Sequence, residues 1–341
     1  MRIFGTFLVC LTLACVFCTG CTEEKTENIA ERANVTRMHH EADQPPYLED
    51  PEAFRNFWQQ VQAGEDGAFY IVEPGEPETY LRFTFTDGTG EYAWARNMDG
   101  PLNWERHPIQ DWTVSERGNF YFRTLPSEDK HVITYAQIRT VPVDPECWRL
   151  TQQYIAPVGY SMVNLFLEDW SEDNFGKLSF NDFWEAAYRM QFGKSYEPAA
   201  SQWDGPCCWL PAAEFEDVIC GFFKIQPDSL RECAGYVQEK NGYPWYPVSL
   251  FMDSFGFLRT PALIPQVVTV ETGKNGTSVL TVEVGSCAMK TDCLFSHQVT
   301  LRFLEGGGVQ YVGNRILSQS DWGLPDGTPR SRQMGAPVRT N

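Results

Sequence analysis

Few residues of this chain are spaced as a reaction would need them. Ser127 and Lys130 stand three apart, the spacing at which a lysine can activate a serine nucleophile. That chemistry wants the serine at a buried helix start and the lysine free of carboxylates. Here Glu128 and Asp129 lie between them in a loop after Pro126, and the nearest companion motif, Lys290-Thr291-Asp292, lacks the required glycine. Ser171 to Asp182 has the outline of a calcium loop, with Gly176 at the sharp turn and Asp182 as the last ligand. Phe175 then falls on the fifth ligand position and cannot coordinate, so the stretch reads as an acidic loop before a capped helix. Glu214, Glu216 and Asp217 offer paired carboxylates for glycoside hydrolysis. They fill the first turn of a helix, where the macrodipole already favours acids. His297 points inward by strand alternation and reads as a hydrogen-bonded core residue rather than a general base. There is no GxSxG, HExxH, P-loop or dinucleotide fingerprint. No catalytic residue, metal ligand or cofactor is assigned, and a binding role is expected ahead of an enzymatic one.

Cysteine is the remaining chemical resource. Seven follow residue 21: Cys147, Cys207, Cys208, Cys220, Cys233, Cys287 and Cys293. The number is odd, so at least one thiol is left unpaired within a monomer. No CxxC occurs among them, which removes the usual zinc and thioredoxin-type patterns. Cys287 and Cys293 flank a five-residue stretch between two strand-like runs and form the candidate disulfide, across the neck of a hairpin.

The first residues carry an address. Met1-Arg2 precedes an apolar run from Ile3 to Phe17, and no acid occurs before Glu23. A cationic start, a short apolar core and small residues before a cut make a secretory signal, here 1–20. The run is shorter than the roughly 20 residues a spanning helix needs. The segment ends Cys18-Thr19-Gly20-Cys21, which resembles the lipobox of bacterial lipoproteins. Thr19 and Gly20 fit it; Cys18 stands where leucine is usual. Cys15 is the competing position, with a poorer fit before it. The resemblance implies lipidation of Cys21 and an anchor on the extracytoplasmic face of the cell membrane. Each buried acyl CH₂ contributes about 0.8 kcal/mol, so more than one chain holds a protein stably.

Net charge is −18, and loss of the leader, whose single charge is Arg2, makes it one unit more negative. That excludes nucleic acid as a partner and a polybasic second anchor on anionic lipid. Apolar content of 43% with 14% aromatics is ample for a packed core. So many aromatics fit half-buried strands first and a sugar-binding surface second.

The elements that would position these residues fall into segments. Residues 21–48 read as a polar, flexible tether containing His39-His40. The region 49–200 reads as β-rich, then helical. It opens with a helix from Pro51 to Gln62, then an antiparallel meander over about 65–140 with a turn at Asp87-Gly88. Helices follow near Cys147–Ile155 and Asn181–Gln191, the second capped by Ser179. Gln202 to Pro211 reads as a boundary loop. In 210–320, Phe215, Val218, Ile219 and Phe222 repeat at helical spacing. A second helix is expected from about Pro227 to before Asn241-Gly242. Four strands then follow, the first two joined at Lys274-Asn275-Gly276. The expected fold class is α+β: an N-terminal antiparallel β-rich region, then helices, then two helices packed on a four-stranded antiparallel sheet. Residues 321–341 read as a loose tail.

One stretch carries a family resemblance. It comprises Leu210-Pro211-Ala212-Ala213-Glu214-Phe215-Glu216, Phe222-Phe223, Leu230-Arg231, Tyr236, Tyr243-Pro244-Trp245, Gln298-Val299-Thr300 and Tyr311 through Leu317. Over 210–317, about a third of the chain, it resembles uncharacterised lipoproteins of Gram-positive, Clostridia-like bacteria. The resemblance implies a lipid anchor and brings no assigned activity and no site residues. The expected function is a non-catalytic extracytoplasmic module for an unknown ligand or protein. The alternatives are a cell-wall or carbohydrate-active enzyme and an extracytoplasmic sensor or assembly factor.

Overall fold

A computed structural model of the chain describes residue 29 and residues 34–41, 44–98, 101–125, 135–252 and 263–334. The leader, Cys21 and the Ser127–Lys130 pair lie outside the described residues. Among these residues no helix is long and apolar enough to cross a membrane. The architecture is mixed α+β in two compact units. One draws on Met1–His40, Pro46–Asp111 and Thr124–Thr134; the other on Glu41–Pro45, Trp112–Arg123 and Tyr135–Asn341.

The first unit holds β1 (Val35–His39), β2 (Tyr47–Leu48), α1 (Pro51–Ala63), β3 (Gly67–Glu73), β4 (Thr79–Thr86), β5 (Thr89–Arg96) and most of β6 (Glu105–Val114). Its strands run in the order β2-β1-β3-β4-β5-β6. β3 to β6 are the antiparallel meander, and β1 joins β3 in parallel. The tether expected over 21–48 therefore contains sheet. Met38 pairs with Leu48, and both bury their side chains; that burial outweighs the polar composition around them. In α1, the Asp50 side chain accepts from the Glu52 N–H and Gly64 ends the helix with φ 73°. α1 lays Phe57 against Phe69 of β3, ring centroids 5.8 Å apart. Tyr70, Val72, Tyr80 and Ala95 pack with Ile29 and Leu102 in a separate cluster.

The second unit contains β7 (Phe120–Thr124, its last residue excepted), β8 (Tyr135–Ile138), α2 (Pro145–Leu150), β9 (Trp170–Ser171), α3 (Phe180–Phe192), β10 (Trp203–Asp204), β11 (Cys207–Pro211), α4 (Ala212–Phe222), α5 (Pro227–Cys233), β12 (Gly242–Trp245), α6 (Ser249–Met252), β13 (Leu263–Thr272), β14 (Ser278–Ser286), β15 (Thr291–Phe303), β16 (Val309–Gln319) and α7 (Arg330–Gln333). The sheet expected with four strands has five, in the order β13-β14-β15-β16-β9. The fifth is only two residues long, pairing Trp170 with Asn314 and Ser171 with Gly313. Two residues leave no periodicity to read. The turn at Lys274-Asn275-Gly276 has positive φ at Asn275 (56°) and Gly276 (71°), the mirror-image geometry that asparagine and glycine permit.

The α4 stripe of Phe215, Val218, Ile219 and Phe222 is buried in one large core with Trp184, Phe223 and Tyr311. α5 ends at Cys233 rather than running on toward Asn241, because Gly235 (φ 70°) turns the chain just past its C-cap. The loop expected over 202–211 is largely strand, β10 and β11. The tail expected to be loose is tied down as far as Arg330. That side chain is 1% exposed and bonds Asp182 (Nε–Oδ1 3.0 Å) and Glu185 (Nη1–Oε2 2.7 Å), as well as the Asp182 carbonyl.

Candidate functional site

Among the described residues, the small sheet β10-β11-β12 builds an open cleft on the surface of this unit. In β11, Cys208 and Leu210 are fully buried, so the intervening Trp209 faces the other way and is half-buried. The turn at Gly205-Pro206 folds β10 back, pairing Trp203 with Cys208 and Asp204 with Cys207. On the far side, Asn241 takes a left-handed conformation (φ 44°) and Gly242 follows. A Cβ at Gly242 would lie 2.5 Å from the Leu210 carbonyl oxygen, so only glycine lets β12 approach β11 here.

The result is an open cleft of about 560 Å³ lined by Gln202, Trp203, Asp204, Trp209, Lys240 and Asn241, among others. The Lys240 ammonium sits 3.2 Å from Asp204 Oδ2 and 5.5 Å from the centroid of the Trp209 ring. Gln202 is fixed by three bonds. Its Nε2 donates to Tyr196 Oη at 2.7 Å and the Trp209 carbonyl at 3.2 Å, and its Oε1 accepts from the Ala199 N–H at 2.6 Å. Tyr196 donates to Glu214 at 3.2 Å, and burial pushes its hydroxyl up to about 12. Asn241 Oδ1 accepts from Tyr236. Trp203 is 38% exposed, a large apolar face open to water. The cleft thus presents indoles, amides and one self-neutralising ion pair.

A second polar group in this unit is closed. Asp292 Oδ1 accepts from Tyr121 Oη and Asn119 Nδ2, both at 2.7 Å, and Gln137 Nε2 donates to the same tyrosine oxygen at 3.0 Å. Asp292 Oδ2 is buried without a hydrogen-bond partner. Burial, then the bond to Asp292, push the Tyr121 hydroxyl well above its usual range. Arg139 donates to Gln266 at 2.8 Å and is drawn down by burial. These bonds join β7, β8, β13 and β15.

The residues singled out by sequence do not converge. Cys287 and Cys293 are free thiols, as are the other five described cysteines. Ser286 pairs with Thr291 and Val284 with Phe295. Cys293 therefore lies opposite the bulge between Val284 and Ser286, while Cys287 is in the turn beyond it. Burial raises both thiols, and their charged surroundings differ: Arg139 partly offsets the rise at Cys287, while at Cys293 Glu283 adds to it and Arg117 opposes it. Glu216 is held by Arg231 (2.7 and 3.1 Å) and Tyr243 (2.9 Å). Asp182 belongs to the Arg330 cluster. His297 is fully buried between Tyr160 Oη (2.8 Å to Nε2) and Asn314 Oδ1 (2.7 Å to Nδ1). Burial pulls it down to about 4, so it is a neutral core residue at physiological pH. Among the described residues no three His, Cys, Asp or Glu are grouped to hold a metal ion. Sequence reasoning passed over Trp203, Asp204, Trp209 and Lys240. The usable signal was Asp204-Gly205 between Trp203 and the alternating Cys208-Trp209-Leu210, which is a hairpin pattern.

Residues 21–330 match DUF6070, a family of unknown function. No curated protein and no solved structure matches the chain.

Proposed function

We propose that this chain, which belongs to the DUF6070 family, is an extracytoplasmic binding lipoprotein whose ligand site is the β10–β12 cleft. The observation that carries the binding role is the cleft itself, where a water-exposed indole stands beside a rigid Gln202 and a paired Lys240–Asp204. Its two titratable lining groups neutralise one another, an arrangement for holding a ligand rather than for moving a proton between acid and base. A glycosidase of the two-carboxylate kind would need a second acid facing Asp204, and no other lining residue is one. Anchoring at Cys21 is supported by the apolar leader and the Thr19-Gly20-Cys21 sequence. The membrane is then the partner of the lipid chains, and the acidic globule faces outward.

Mass spectrometry of the mature N-terminus, from wild type and from Cys21→Ala, tests the anchor. An acylated Cys21 in the membrane fraction, lost in the variant, is the expected result. Recovery of unprocessed wild type from the cytosol would overturn it. Release of the variant from membranes with its cleft intact would separate address from binding.

A further inference from the structure

We infer that the cleft takes uncharged β-1,4-linked pyranose chains, with one sugar ring stacked on Trp203; this deepens the cleft reading above and rests on it. A β-1,4-linked pyranose chain with equatorial hydroxyls is a flat ribbon: C–H bonds cover its faces and hydroxyls line its rim. An indole open to water offers the matching surface, because its π face is electron-rich and attracts C–H bonds. Trp203 is 38% exposed at the cleft, which a core residue would not be.

The polar groups suit the rim. Lys240 lies 3.2 Å from Asp204 and 5.5 Å from the centroid of the Trp209 ring, so an N–H donor and a carboxylate acceptor stand side by side, both open to solvent. Adjacent hydroxyls of one sugar present the complementary acceptor and donor. Asn241 spends its carbonyl oxygen on Tyr236, leaving its amide N–H groups for a ligand. Gln202 is fully engaged within the protein and acts as scaffold. The cleft, at about 560 Å³, is within the range of small-ligand sites, roughly 300–1,000 Å³.

Charge selects among polymers. The Lys240–Asp204 pair cancels locally, and the chain as a whole carries −18. Phosphate-rich or uronic polymers are repelled by that field, whereas uncharged chains are indifferent to it.

The test uses the full chain extracted from membranes in detergent. Hexasaccharides of β-1,4-linked glucose and of β-1,4-linked N-acetylglucosamine are titrated while tryptophan fluorescence and calorimetric heat are followed. A saturable response to at least one is expected. Trp203→Ala should weaken that affinity by about tenfold, the scale of one lost aromatic stack, with an unchanged far-ultraviolet circular dichroism spectrum. No saturable response to either sugar in the wild type overturns the ligand class, and leaves the acylation result at Cys21 unaffected. A response that survives both Trp203→Ala and Lys240→Ala unchanged overturns the site instead.

Discussion

The second unit contains two polar groupings made from nearly the same residue types. The cleft has Trp203, Trp209, Gln202, Asp204 and Lys240; the closed lattice has Tyr121, Asn119, Gln137, Asp292 and Arg139. What separates them is water. Around Asp292, Tyr121 and Asn119 are buried and leave little room for water, so their bonds to it are electrostatically strong and the grouping fastens strands together. Around Asp204 water competes, the ion pair is worth little to stability, and the same chemistry is left over for a ligand. The Arg330 cluster belongs with the first kind. Residue type therefore does not distinguish a strut from a binding surface; solvent exposure does.

The largest expected effect is at Arg330, the most buried cation among the described residues. Arg330→Ala would leave Asp182 and Glu185 without their shared partner, one of them almost fully enclosed. Removing one member of such a cluster costs about 3–5 kcal/mol. Denaturant unfolding of the wild type and the variant measures it. A loss below about 1 kcal/mol would put the C-terminal segment in the exposed class with Asp204.

Acid should act next most strongly, through His297. Its folded value is pulled to about 4 against 6.5 unperturbed. Above pH 6.5 the ring is neutral whether folded or unfolded, and this contribution is fully present. Between 6.5 and 4 only the unfolded chain takes up the proton, so stability falls with pH. The loss reaches roughly 3 kcal/mol by pH 4. In His297→Gln this segment of the pH profile should flatten, even though the variant starts from lower stability. An unchanged slope between pH 7 and 4.5 would assign the acid sensitivity to other groups.

Tyr121→Phe comes third, at about 1–3 kcal/mol, because it removes a donor to Asp292 and the acceptor of Gln137 while keeping the ring. Added oligosaccharide should leave that deficit unchanged, since the lattice is not the ligand site. A deficit that vanished on addition of sugar would couple the two groupings and break the comparison.

How much of this was legible beforehand follows the same division. Long periodic elements were visible: the α4 stripe, the α1 helix from Pro51 and the Asn275-Gly276 turn all declare themselves locally. The two-residue strand β9 did not, since its partners in the sheet, Gly313 and Asn314, lie more than a hundred residues on. Asp182 was weighed as a calcium ligand because its actual partner, Arg330, is equally remote. The lattice was invisible for the same reason: Tyr121 and Asp292 are 171 positions apart. The cleft was closer to reach. Its residues lie within 201–241, but the Gly-Pro at 205–206 reads as a break in structure when it is the turn between two short strands.

The smallest effect is the most discriminating. Trp203→Ala deletes a side chain of the same type as Trp184, which is fully enclosed in the core. Truncating a buried aromatic costs about 3–5 kcal/mol. At Trp203 the change in unfolding free energy should stay within about 0.5 kcal/mol, because an exposed ring leaves no cavity and strands no polar partner. That outcome would leave the exposed ring available to a ligand at little cost to the fold. If Trp203→Ala instead lost about 2 kcal/mol or more, on the scale of core truncation, the ring would be a strut between β10 and β11, and the cleft would belong with the lattice around Asp292.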